Sequence, residues 1–173
     1  MTLDINNLSA GYGSTPVITG IHMTAEPGRI CAVMGRNGSG KTTLLRCINH
    51  VLPRLHGEIR IMGQDITRMA RHRIAQNISV VPQVNFSPFS FSCLDMVLMA
   101  GAARIRAWAA PSRKEQDRAA SAMAEVGIDH LVHQAFNAIS GGERQLVMLA
   151  RALFQKTPIM LLDEPTAHLD FTN

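Results

Sequence analysis

At 173 residues with 46% apolar and 17% charged side chains, the chain reads as globular and ordered, with enough length for one sizeable core. Its longest apolar stretches, such as 159–162, fall far short of the roughly 20 residues a membrane-crossing helix needs, and residues 1–10 lack the basic start and apolar run of a secretory signal, so a cytosolic location is expected. The formal charge of +4 comes from Lys and Arg spread along the chain rather than blocked, which does not call for a nucleic-acid partner.

In chain order, Leu3, Ile5 and Leu8 before Gly11 and Gly13, with 17–23 after them, predict two antiparallel strands around a Gly-rich turn. Residues 29–34 form a short apolar run expected to be a buried strand. A Gly-rich loop follows, and then Leu44, Leu45, Ile48, Val51 and Leu52 recur at helical spacing. An edge strand is predicted over 57–63, a short helix over 66–76 and a buried strand over 78–81, stopped by Pro82. Arg68, Arg71, His72 and Arg73 read as a solvated face of that short helix.

Residues 93–103 read as helix. Ser112 with Glu115 three residues on is a capping-box pattern, opening a helix that carries Ala119, Ala122, Met123 and Val126 before Gly127. A further helix from about Glu143 runs through Leu146, Val147, Leu149, Ala150, Leu153 and Phe154 and stops before Pro158, and 159–162 is the next buried strand. Strands alternating with helices, without repeats, predict an α/β fold with an inserted helical section. Cys31, Cys47 and Cys93 are an odd count without CxxC pairing, and are expected to be reduced and mostly buried.

Gly35, Arg36, Asn37, Gly38, Ser39, Gly40, Lys41 and Thr42 fit the pattern GxxxxGK followed by Ser or Thr, placed between a predicted strand and a predicted helix. Glycines let the backbone turn its N–H groups toward phosphate oxygens, and the following helix offers its positive end to the same anion. Lys41 would reach the β and γ phosphates of ATP, and Thr42 would ligate Mg²⁺. Asp163 and Glu164 stand directly after the 159–162 strand, where open α/β sheets place their ligand crevice. There Asp163 would hold Mg²⁺ and Glu164 would polarise an attacking water; a solvated turn is the alternative reading of the same pair. Ser140, Gly141 and Gly142 open the last helix and read either as a second anion site or as an N-cap and turn.

GRNGSGKTT, which includes Thr43, then ISGGERQ and LLDEPTAHLD stand in the order found in the ABC transporter ATPase family, and on these motifs essentially the whole chain resembles that family. The resemblance implies a P-loop ATPase domain with an antiparallel N-terminal β subdomain and a helical subdomain at about 86–137, between core segments at about 1–85 and 138–173. It implies that Tyr12 stacks on adenine, that Gln83 senses Mg²⁺ and couples to a membrane subunit, and that Asp170 crosses a dimer interface. Two such subunits, as a homodimer or a paired ATPase, would sandwich ATP, so that Ser140, Gly141 and Gly142 of one contact the γ-phosphate held by Lys41 of the other. Membrane permease subunits, and through them a substrate-binding protein, would complete the assembly at the cytoplasmic face of the membrane. Residues 89–99 and the HLDF segment at 168–171 are similar to importers of iron-siderophore complexes, haem and cobalamin.

The family carries a switch histidine beyond the Asp170 segment, and no histidine here holds that place; His168 lies inside the earlier loop. The chain is therefore expected to be a C-terminally truncated domain, doubtfully stable alone. It would be either a nucleotide-binding fragment or a non-hydrolysing regulator if it is not a full transport ATPase. His130 and His133, one helical turn apart without acidic or Cys companions, read as surface residues. Neither a coiled-coil insertion nor a second ATPase head is present, which separates the chain from the DNA-repair and ribosome-acting relatives of the family.

Overall fold

The computed structural model describes residues 3–83, 89–103 and 110–164. It divides into two compact units, Met1–Ile78 and Ser79–Asn173. In the first, β1 (Leu3–Tyr12) and β2 (Thr15–Ala25) form the expected antiparallel pair. The helix α1 (Lys41–Ile48), β3 (Arg54–Ile61), the short β4 (Gln64–Asp65) and α2 (Arg71–Asn77) follow. The sheet order is β2-β1-β3-β4.

The apolar pattern of β1 has a structural cause. Leu3 and Ile5 are buried, and so are Leu8 and Ala10, a switch from odd to even positions that a regular strand would send to opposite faces. The register against β2 shifts between Ile5 and Leu8, and Asn7 takes a left-handed φ of 49°. This bulge turns the second half of the strand inward again. Opposite it, Gly57 has a φ of 84°, and a Cβ there would sit 2.2 Å from the Asn7 carbonyl oxygen, so only glycine lets the two backbones approach. Ile59 and Ile61 of β3 complete the buried face.

Several expectations are corrected in this unit. Residues 29–34 form no strand: the backbone has no ladder, Ile30 is 100% exposed and Met34 89%. An apolar run becomes a buried strand only beside neighbours that take its N–H and C=O groups, and among the described residues no strand pairs with it. For the same reason Cys31 is exposed, whereas Cys47 and Cys93 are buried as expected. Helix α1 ends at Ile48, with His50 in a left-handed turn and Val51 exposed, rather than continuing to Leu52. The strand expected over 57–63 begins at Arg54 and is interior, flanked by β1 and β4. The helix expected over 66–76 is a 3-10 turn at Ile66–Arg68, capped by Asp65, followed by α2. Arg54 grips Asp65 with two hydrogen bonds of 3.1 and 3.2 Å, fixing that cap. Arg68, Arg71, His72 and Arg73 are exposed, as a solvated face should be.

In the second unit β5 (Ile78–Val81) and β6 (Ile159–Leu162) pair, with the boundaries expected from sequence. Between them lie α3 (Cys93–Leu98), which runs into a 3-10 turn at Met99–Ala103, α4 (Arg113–Glu125) and α5 (Gly141–Gln155). Ser112 and Glu115 close the predicted capping box of α4. The three helices pack on one another around Val97, Met123, Leu131, Phe136, Val147 and Phe154, all nearly or fully buried. Side chains of this size each gain about 1.5 to 3 kcal/mol on full burial, so this cluster dominates the unit's stability.

Candidate functional site

In the first unit the loop over 35–40 is exposed and turns through Gly38 and Gly40. The Ser39 N–H donates to the Arg36 carbonyl at 3.1 Å. Gly40 is the N-cap of α1, with φ 96°, and offers no side chain to the helix start. A Cβ there would lie 2.4 Å from Ile18 Cγ2 on β2, so the loop can close on the sheet only with glycine at this position. A helix start without a capping side chain leaves its N–H groups and its positive dipole end to an anion. Lys41 Nζ donates to the carbonyls of Gly35 at 2.9 Å and Arg36 at 3.1 Å, which holds the ammonium across the loop. Thr42 is half-buried in the first turn of α1 and Thr43 is buried behind it. Donor-rich backbone, one fixed ammonium and a hydroxyl in the first turn are the donor set a magnesium polyphosphate requires.

Tyr12 ends β1 with about half of its surface exposed. Its hydroxyl accepts a hydrogen bond from Arg46 Nη1, on α1, at 3.0 Å. Sequence reading did not single out Arg46, since the contact spans 34 residues and leaves no local signal.

In the second unit the Asp163 N–H donates to the Val81 carbonyl at 3.0 Å, extending the β5–β6 pairing by one residue and burying the Asp163 side chain. Glu164 then leaves the strand with a left-handed φ of 49°. That conformation costs a non-glycine residue about 1 to 3 kcal/mol and swings its carboxylate out of the strand line. Gln83 Nε2 donates to Glu164 Oε2 at 2.5 Å, so the residues just past the ends of β5 and β6 meet. The structure thus brings together Gln83 and Glu164, 81 positions apart.

Ser140 is the N-cap of α5 and closes a full capping box with Glu143: the Ser140 N–H donates to Glu143 Oε2 at 2.7 Å and the Glu143 N–H to Ser140 Oγ at 3.3 Å. The sequence places Glu143 at the start of this helix without marking it as the partner of the cap, although Ser-x-x-Glu is the signature of one. The hydrogen bonds from Ser140, aided by nearby His130, hold its carboxyl below the ordinary range. Ser140 Oγ thus both accepts the Glu143 N–H and serves the Glu143 carboxyl within the cap. Gly141 and Gly142 form the first turn, the former exposed and the latter half-buried.

Asp170 and His168 lie outside the described residues. His130 and His133 are exposed, and no cluster of His, Cys, Asp and Glu suited to a metal occurs among the described residues.

The family model described as ABC transporter matches residues 18–167. The chain belongs to the ABC transporter family. It is 38% identical over 174 residues, covering 100% of this chain and 68% of the relative, to a Helicobacter pylori protein named "Probable iron chelatin transport ATP-binding protein". It is 36% identical over 181 residues, covering 100% of this chain and 67% of the relative, to the hemin import ATP-binding protein HmuV of Roseobacter denitrificans. The chain thus spans about two thirds of the length of these curated relatives. Among solved structures it is similar to the dimeric bacterial ABC transporter cassette MJ0796, at TM-score 0.86 and 26% identity over 98% of this chain and 77% of that one. MJ0796 is also known as a dimer in a post-hydrolysis state with ADP and Pi, matched at TM-score 0.86 and 25% identity over the same shares of the two chains. The ABC ATPase chain therefore has the cassette fold and its nucleotide-binding loop, and none of its described helices is long and apolar enough to cross a membrane.

Proposed function

We propose that the chain is the ATP-binding and ATP-hydrolysing part of an importer subunit that powers uptake of a metal chelate of the iron-siderophore, haem or cobalamin class. The observation that carries the nucleotide reading is the glycine-capped start of α1 with Lys41 held across it. The names of the iron chelatin and hemin relatives support the cargo class.

In this reading Gly35, Arg36, Asn37, Gly38, Ser39, Gly40, Lys41, Thr42 and Thr43 take the phosphates, and Tyr12 stacks on adenine. Thr42, Gln83 and Asp163 would hold Mg²⁺, which supplies charge neutralisation at the β and γ phosphate oxygens when bound. Glu164 polarises the attacking water. Gln83 occupies one carboxylate oxygen and leaves the other for that water, whose oxygen bonds to the γ-phosphorus as the bond to the bridging oxygen breaks, giving ADP and phosphate. Ser140, with Gly141 and Gly142, serves the γ-phosphate of a second ATPase subunit, and Asp170 lies at that dimer interface. The nucleotide-binding core is formed by about 1–85 and 138–173 and the helical subdomain by about 86–137, and Gln83 couples the subunit to permease subunits at the cytoplasmic face, with a substrate-binding protein acting beyond them.

The test is Mg²⁺-dependent ATP binding and turnover by the chain. Lys41→Ala should weaken ATP binding about 10- to 100-fold, the worth of one charge-assisted contact or more. Glu164→Gln should leave binding intact and lower turnover about 100-fold or more. Turnover by Glu164→Gln equal to wild type would remove Glu164 from the chemistry.

A further inference from the structure

We infer that Arg46 is a positioning residue for base recognition: its guanidinium anchors the Tyr12 phenol and ties the base-reading ring to the helix whose first turn holds the phosphates. The inference rests on the proposed nucleotide reading, with Tyr12 as the ring that stacks on adenine and the 35–42 loop holding the phosphates, and adds a residue to it.

Tyr12 sits at the very end of β1, paired with Thr15 across the hairpin turn, so its backbone is fixed while its ring can still turn about two side-chain bonds. The side chain is about half exposed, so packing alone does not fix the ring. The hydrogen bond from Arg46 Nη1 at 3.0 Å is the polar anchor at the far end of the ring. Arg46 is in turn carried by a rigid base, because Leu44, Cys47 and Ile48 bury the other side of α1. The same helix begins at Gly40 and Lys41, which closes on Gly35 and Arg36. A bound nucleotide extends from phosphate to base. One helix therefore sets both ends of its site, the phosphate end through the first turn and the base end through the Arg46 hydrogen bond.

A ring anchored before the base arrives loses less rotational freedom on binding. Arg46 has five donors and a planar head, so it can keep the phenol while remaining solvated, and it does not need to touch the nucleotide to affect affinity. A guanidinium that instead acted on the phosphates would strengthen binding of any polyphosphate, with or without a base.

Calorimetric titration of the chain with magnesium ATP and with magnesium tripolyphosphate, which has no base, separates these effects. Arg46→Ala should weaken ATP binding about 3- to 10-fold, the range of one hydrogen bond, and change tripolyphosphate binding by less than about 2-fold. Tyr12→Phe removes the same hydrogen bond from its other side while keeping an aromatic face, and should reproduce the loss. The double variant should be no weaker than either single one. Equal weakening of both ligands by Arg46→Ala, an unchanged ATP affinity, or additive losses in the double variant would each overturn the inference. Circular dichroism and melting of both variants check that the fold is kept, and should either variant not fold, the other decides. A wild-type chain that binds neither ligand overturns the nucleotide reading itself, an outcome distinct from a chain that binds both but ignores Arg46.

Discussion

The two helix starts expected to face phosphate, those of α1 and α5, solve the same problem in opposite ways. Helix α1 begins at a left-handed glycine with no side-chain cap, and its anion must come from outside. Helix α5 begins at a serine that closes a capping box with Glu143, so it supplies its own negative charge and two of its own hydrogen bonds. The uncapped start of α1 is therefore the better suited of the two to an external phosphate. The self-capped start of α5 already has an anion of its own.

The contrast is broken most severely at Gly40. Gly40→Ala combines an unfavourable left-handed φ with a Cβ 2.4 Å from Ile18 Cγ2, so it should destabilise the chain by about 1 to 3 kcal/mol or displace the loop. Denaturant unfolding together with ATP titration measures both, and a variant matching wild type in both would show that the glycine cap is not required. Ser140→Ala at α5 should cost about 1 kcal/mol in the same unfolding assay, the usual worth of an N-cap. A loss as large as that of Gly40→Ala would erase the asymmetry between the two starts.

The smallest effect is one of pH. Because the Glu143 carboxyl is held below its ordinary value of 4.5 by Ser140, its contribution to stability is fully present above that value and is lost as pH falls through the depressed one. Glu143→Gln should therefore flatten the acid side of the melting-temperature profile and leave the profile near neutral pH little changed in shape. An unaltered acid limb would mean that the capping carboxylate is not linked to folding.

Much of the fold was legible because its signals are local. The β5 and β6 boundaries, the Ser112 and Glu115 box and the stop of α5 follow from apolar runs, Pro82, Pro158 and capping residues within a few positions. The phosphate loop was legible for the same reason, since its donors are consecutive backbone groups. The 29–34 run misled because apolarity says that a segment wants burial, not that a neighbouring strand is there to bury it. The start of α5 was placed late because Gly141 and Gly142 are poor helix formers, and the Ser140 to Glu143 box overrides that propensity.

By itself, the order of residues determined where the phosphate loop, the two post-strand carboxylates and the helix starts lie along the chain. Each is built from neighbours in sequence, whose chemistry does not wait for packing. Only the tertiary structure decided that Gln83 meets Glu164, that Arg46 meets Tyr12 and that Gly57 opens a place for the Asn7 bulge. Those pairings join residues tens of positions apart. A side chain's reach is a few ångströms, so which distant partner falls within it is set by how the strands and helices pack, not by either residue's identity.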